Sequence, residues 1–342
     1  MKVYIKYIIK NFIKLLFIVS SIFFILVLLL NLLQELDFFK NTNESLYYPL
    51  LLNILNAPSI LINIFPFIFL ISAQFLFINL IDKNELIILK SFGIDNLRLI
   101  SIISLISFIA SLFIIIFFYN FSAKLKYFYL EIKNNFASDN KYLAVITDNG
   151  IWIKDEIEGN KIIINANLIE GNILKEVVIT QFDNDFSPKK YIYGEIVDIK
   201  RNEWVIEKAT IIENNIRMIK NNFIFQSNFN SKKINSLFSN LTSLTIWELI
   251  NLKDEYNSVG YSVKEINLHL QKIYSFPVYL TILTIFASVL MLNVPINKPK
   301  FFYLIMGIFA SVLIFYINHF SSLLGENNKL PITLSVWLPH VI

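Results

Sequence analysis

The chain has 342 residues, of which 55% are hydrophobic, with a formal net charge of +4 and a mean hydropathy of +0.57. This composition places much of the chain in a membrane, and the absence of cysteine excludes disulfides and thiolate metal sites.

A bilayer core about 30 Å thick needs around 20 apolar helical residues. The first such run is Phe12 to Leu33, and it opens on Lys2, Lys6, Lys10 and Lys14, whose i, i+4 spacing places four ammonium groups on one helical stripe. It is too long for a cleaved leader, lacks a small-residue cleavage pattern and is followed by further spans, so it is retained as a membrane helix. Pro58 to Ile81 and Leu97 to Tyr119 form the second and third spans. Between them, Glu85-Leu86-Ile87-Ile88-Leu89-Lys90-Ser91-Phe92 reads as a short helix ended by Gly93, whose tolerance of positive φ suits a C-cap, and Asp95 is placed to cap the third span. With Leu86, Leu89 and Phe92 expected to be exposed, the helix either docks in a protein groove or lies at the membrane interface.

The next 150 or so residues are polar and strand-like. Tyr142 to Thr147 leads into the turn Asp148-Asn149-Gly150, and Ile151-Trp152-Ile153-Lys154 follows as the next strand. Lys161 to Asn165, Glu176 to Phe182, Tyr191 to Ile199, Trp204 to Glu207 and Ile211 to Ile219 complete a pattern expected of a sandwich or jelly roll. Thr245-Ile246-Trp247-Glu248 then fits a capping box, Ser262-Val263-Lys264-Glu265 repeats it, and two short helices broken at Gly260 lead back to the membrane. Ile273 to Pro295 and Phe301 to Phe320 are the fourth and fifth spans. A sixth begins near Leu334, with too few residues after Pro331 for a full crossing.

The expected fold is therefore an α-helical polytopic membrane protein, with five full spans plus a truncated sixth and an inserted β-jelly-roll domain. Its parts are residues 1–119 with the short helix at 84–93, the β domain at 120–271 with connecting helices at 245–270, and residues 272–342. Orientation follows from Lys and Arg in short loops. Lys83, Lys90, Arg98, Lys298 and Lys300 share the side of the basic N-terminus, whereas the opposite short loops hold only Lys40 and Lys329. The N-terminus is thus expected to be cytoplasmic and the β domain to lie on the other side of the membrane, which is the periplasm if the cell is Gram-negative.

No H-E-x-x-H, G-x-S-x-G or G-x-x-x-x-G-K-[ST] is present, and His269, His319 and His340 are far apart in sequence. An enzyme is not indicated. No catalytic residue, metal, cofactor or nucleic-acid partner is called for.

Several blocks, in order along nearly the whole chain, resemble the lipopolysaccharide-export permeases of the LptF/LptG (YjgP/YjgQ) family. Asp82-Lys83-Asn84-Glu85-Leu86-Ile87-Ile88-Leu89-Lys90-Ser91-Phe92-Gly93-Ile94 is similar to the family loop "NSELVAMRAAGVS", and Gly150-Ile151-Trp152-Ile153 to its "GxWL" strand. Leu244-Thr245-Ile246-Trp247-Glu248-Leu249 is similar to "LSLWEL", and Gly260-Tyr261-Ser262 with Leu268 to Lys272 and Phe276-Pro277 to "GxS…LxxKxxxPL". Leu330-Pro331 and Trp337-Leu338-Pro339 resemble "LPPxxAAWLPN". Lys272, and the lack of a "PRxGR" run between Asn293 and Lys300, favour the G subunit over the F subunit.

The resemblance implies a non-catalytic inner-membrane permease half. Its implied partners are a homologous permease subunit in a heterodimer, a cytoplasmic ATPase dimer and a periplasmic bridge protein of jelly-roll fold, and its substrate is lipopolysaccharide. Glu85, Leu86, Leu89, Lys90, Phe92 and Gly93 would form the ATPase-coupling helix. Leu29, Leu30, Leu33, Lys40 and Trp152 would lie on the lipid path, with Lys40 for a phosphate and Trp204 beside Trp152 in an apolar trough or core. Gln34, Glu35 and Asp37 depart from the family's more basic pattern near this point. A non-transporting scaffold or sensor with the same topology remains the alternative, separated from an exporter by whether Phe92 contacts an ATPase.

Overall fold

Apolar runs of this length, interrupted by proline only at Pro58, Pro66 and Pro277, propagate as helix well past the hydropathy limits. The computed structural model describes residues 3–40, 45–136, 151–157, 160–170, 172–183, 187–213, 216–231, 234, 240–258, 262–293 and 299–340. Helices α1 (Val3–Phe38), α2 (Tyr47–Asp82) and α3 (Glu85–Ser91) are followed by α4 (Asn96–Phe113), a π-helical segment (Ile114–Tyr119) and α5 (Asn120–Phe136) in one uninterrupted rod. After the strands come α6 (Ile246–Ser258), α7 (Lys264–Leu292), α8 (Lys300–Glu326) and α9 (Ile332–Trp337). Among the described residues five helical stretches are long and apolar enough to cross a membrane, and they are those expected from the sequence.

The chain divides into two units, residues 1–129 with 264–342 and residues 130–263. In the first, α2 packs against α1, α3, α7 and α8, and α4 against α7. Without a hydrophobic drive between helices in lipid, small and hydroxylated residues make the close contacts. Ser107 Oγ and Thr284 Oγ1 share a hydrogen bond of 2.7 Å between α4 and α7, beside the buried Ser111 and Ala287. Gly307 of α8 admits Gln74 of α2, because a Cβ there would sit 2.0 Å from the amide nitrogen that donates to the Tyr303 carbonyl. The sixth-span segment begins at Ile332 and folds onto α7 and α8: Ser321 Oγ donates to the Ser335 carbonyl, and Trp337 Nε1 donates to Gln271 Oε1 at 2.9 Å.

The second unit is built on a six-stranded antiparallel sheet in sequential order, β1 (Ile151–Ile157), β2 (Asn160–Glu170), β3 (Ile173–Phe182), β4 (Pro188–Asp198), β5 (Glu203–Glu213) and β6 (Ile216–Gln226). Register aligns Ile153, Ile164, Ile179, Ile192 and Ile211 across five neighbouring strands, all buried, so one face of the sheet carries the core. Trp204 joins that core and donates to the Phe229 carbonyl at 2.7 Å. Buried Asp155 on β1 accepts from Ser227 Oγ, Asn228 N and Asn228 Nδ2 at 2.8 to 3.0 Å, tying the segment after β6 to the opposite edge.

Two expectations are corrected here. Ile211 to Ile219 is not one strand: β5 ends at Glu213 and β6 starts at Ile216, with those two residues paired. The second connecting helix is no short element but the first turns of α7, which runs unbroken from Lys264 through Pro277 to Leu292. The capping box at Thr245 forms, with Thr245 N and Oγ1 both donating to Glu248 Oε2 at 2.8 and 2.7 Å. The expected strand at Tyr142 to Thr147, its turn, and Gly260 lie outside the described residues.

Candidate functional site

Helix α3 is short because both ends are set by backbone conformation. Asn84 precedes it with φ 57°, and Gly93 follows it with φ 77°. Gly93 N donates to the Lys90 carbonyl at 2.9 Å and Ile94 N to the Leu89 carbonyl at 3.1 Å, the paired bonds of a Schellman cap. Ile94 then buries itself in the core of the helical unit. Asp95 accepts from Arg98 N at 3.1 Å and starts α4, as the sequence leads one to expect. A non-glycine residue at 93 would meet no atom within 4 Å, so its cost would be conformational alone.

The cap and the core contact fix which face of α3 looks outward: Phe92 is outside as expected, but Leu86 and Leu89 are not. Leu86 is only 8% exposed and belongs to the core, and Leu89 is half-buried against it. Spacing of i, i+3 turns these two leucines inward, which leaves Ile87, Ile88, Lys90 and Phe92 outside, Phe92 at 80% exposure. Glu85 is held in place by the Tyr7 hydroxyl of α1, which lies 2.8 Å from both carboxylate oxygens. Lys300 at the start of α8 pairs with Asp82 at the end of α2. The α3 end of the bundle therefore presents an apolar tip beside exposed Lys83, Lys90 and Arg98, carried on a braced helix. Lys6, Lys10 and Lys14 are exposed along α1 at the same end, opposite its buried stripe of Ile8, Phe12 and Val19.

At the other end, Leu29, Leu30 and Leu33 form one exposed apolar face of α1, and Lys40 is exposed beyond it. The opposite face of the same helix carries a polar network that the sequence reading missed. Asn31 Nδ2 donates to Asn53 Oδ1 at 2.8 Å, and Asn56 Nδ2 to Asn31 Oδ1 at 3.0 Å, all three residues being buried. Lys126 of α5 donates to Asn56 Oδ1 at 2.6 Å and lies 4.3 Å from the centre of the Tyr129 ring. The Tyr129 hydroxyl donates to Glu35 Oε1 at 2.9 Å. Glu35, counted from sequence as a departure from a basic substrate site, is thus buried in the joint between α1 and α5 and does not face the leucines. Buried polar groups in a membrane bundle are costly unless paired, and these pair with one another. The available signal was three asparagines inside or beside apolar runs.

Trp152 is on β1 and 55% exposed, on the face opposite Ile151 and Ile153, whereas Trp204 is fully buried. The pair is therefore split between the two faces of the sheet. Among the described residues no cluster of His, Asp or Glu has metal-binding geometry.

What this arrangement offers is docking and packing. A braced helix shows an apolar tip at one end, and a leucine face stands at the other. A family model described as lipopolysaccharide export system permease LptF/LptG matches residues 6–342. No curated protein matches the chain.

Proposed function

The chain belongs to the LptF/LptG family of lipopolysaccharide export permeases, multi-pass proteins of the inner membrane, and from that premise we propose that it is the non-catalytic permease half of an ATP-driven exporter. The match across residues 6–342 carries this reading. Its own residues supply docking surfaces and leave nucleotide hydrolysis to a partner ATPase dimer.

In this reading the N-terminus and α3 are cytoplasmic. Phe92, Ile87 and Ile88 enter a groove of the ATPase with Lys90 at the rim, while Glu85, Leu86, Leu89 and Gly93 hold the helix on the bundle. Force on α3 passes to α1 through Tyr7–Glu85 and to α2 through the Leu86 contact. The periplasmic end of α1, with Leu29, Leu30 and Leu33 toward lipid, contacts the acyl chains of lipopolysaccharide at the interface with a homologous permease subunit. Lys40 meets a phosphate. Strand β6 closes one edge of the described sheet and exposes Ile216, Met218, Ile219 and Ile224, which suits edge-to-edge pairing with a jelly-roll bridge protein, and Trp152 lies on the lipid path of that domain. Lys272 supports assignment as the G subunit.

The test is reconstitution of the chain with its co-purifying subunits in proteoliposomes containing lipopolysaccharide. An exporter transfers lipopolysaccharide to a soluble bridge domain only when ATP is hydrolysed. A scaffold or sensor transfers none and brings down no ATPase.

A further inference from the structure

Where α1 passes the end of α2 and the start of α3, a cavity of about 240 Å³ lies within the helical unit. Helix α1 lines it with Tyr7, Asn11, Lys14 and Ile18, which share one helical face. Leu76 and Asn79 of α2, and Lys83 just after it, line it from the other side at i, i+3 and i+7. Both faces change in the same order. One turn beyond Lys14 comes Ile18, and two turns before Lys83 comes Leu76, with Leu15 and Leu80 beside them. The cavity thus has a polar mouth toward the α3 end and an apolar floor deeper in the bundle.

The lining indicates what this space holds. Lys14 precedes a charge-free run on α1 that lasts to Gln34, and Lys83 follows one on α2, so both stand where apolar span gives way to polar chain. That is the depth of lipid headgroups, where basic pockets between helices take phosphates. Both lysines are exposed, and neither they nor the side chains of Asn11 and Asn79 have a hydrogen-bond or ion-pair partner among the described residues. Their ammonium and amide nitrogens together offer several donors to one acceptor-rich group. Glu85 also lines the cavity, but its carboxylate already accepts from the Tyr7 hydroxyl at 2.8 Å. Two lysines against one carboxylate leave a single positive charge, which one phosphodiester neutralises and a choline headgroup would only add to. The apolar floor offers the first carbons of an acyl chain a wall that a free phosphate would not use.

We propose that this cavity binds the phosphodiester of an anionic phospholipid from the leaflet on the α3 side, with Lys14 and Lys83 as counter-charges and the Asn11 and Asn79 amides as donors. The site lies inside one chain and does not depend on the exporter reading.

The experiment measures retention of phosphatidylglycerol, phosphatidylcholine and diacylglycerol with the same acyl chains, by native mass spectrometry of the detergent-purified protein with its co-purifying subunits. Thermal unfolding of the delipidated protein, with and without inorganic phosphate, is measured alongside. Wild type is expected to retain phosphatidylglycerol over both other lipids. Lys14→Met and Lys83→Met each lower that retention about tenfold, the scale of one hydrogen bond to a charged group, whereas Lys14→Arg keeps most of it. Lys10→Met, which removes an exposed lysine one turn earlier on α1 that does not line the cavity, leaves retention unchanged. Because neither Lys14 nor Lys83 has a partner among the described residues, their Met variants leave the melting temperature of the delipidated protein unchanged. A loss as large from Lys10→Met means that the basic stripe attracts lipid diffusely, and overturns the proposal. Retention of phosphatidylglycerol no greater than that of phosphatidylcholine or diacylglycerol overturns it too, as does retention indifferent to Lys14 and Lys83. Stabilisation by inorganic phosphate with no lipid retained overturns the lipid assignment.

Discussion

The two ends of the helical unit solve opposite problems. At the α3 end, apolar side chains are left outside: Ile87 and Ile88 stand exposed on a helix of seven residues, and Phe92 on the residue that follows it, held by a glycine cap and one tyrosine–carboxylate contact. At the opposite end, polar side chains are taken inside: Asn31, Glu35, Asn53 and Asn56 are buried and joined to Lys126 and Tyr129. An isolated bundle would favour neither choice, since exposed phenylalanine costs solvation and buried polar groups cost desolvation. The difference teaches that polar groups in the bundle are paired internally, whereas the apolar side chains of the α3 end have no such pairing within the chain and are the surface the proposed ATPase contact would use.

Substitutions that break this comparison differ in size. Lys126→Met removes a charged donor from the network and is expected to cost about 2–3 kcal/mol in reversible unfolding followed in detergent. Glu35→Ala should behave likewise and Glu35→Gln more mildly, because the amide oxygen can still accept from Tyr129. Gly93→Ala forces a left-handed conformation on a residue with a Cβ and should cost about 1 kcal/mol, seen as faster hydrogen exchange across residues 85–94. Tyr7→Phe loses one exposed hydrogen bond and should cost about 0.5 kcal/mol or less. Phe92→Ala should leave stability within about 0.5 kcal/mol, since a side chain this exposed supports little of the fold. Yet Phe92→Ala should release the ATPase from the purified assembly. If it destabilises the isolated chain as much as Lys126→Met does, the contrast between the ends fails.

How much of this was legible varies with the physics of each element. The spans were readable because hydropathy is a property of a window, but their ends were not: α1 continues through Gln34, Glu35 and Asp37 to Phe38 because Glu35 finds Tyr129 from a helix 94 residues away. Caps were readable at Asp95, Gly93 and Thr245, where the chemistry is local. The outward face of α3 was not, since Leu86, Ile87, Ile88 and Leu89 are four consecutive apolar residues with no moment to orient them, and Ile94 decided the matter through the core. The split of Ile211 to Ile219 was hidden because Asn214-Asn215 punctuates two strand-like runs without glycine. His319 and His340, distant in sequence, share one cavity that only the packing of the last helix creates.

The most direct measurement is site-specific photocrosslinking with a benzophenone side chain at position 92 and, separately, at position 86, in membranes containing the assembled complex. The account predicts that the probe at 92 captures a nucleotide-hydrolysing subunit while the probe at 86 captures only this chain. Capture of lipid alone at 92, or equal capture of the ATPase from both positions, would contradict it.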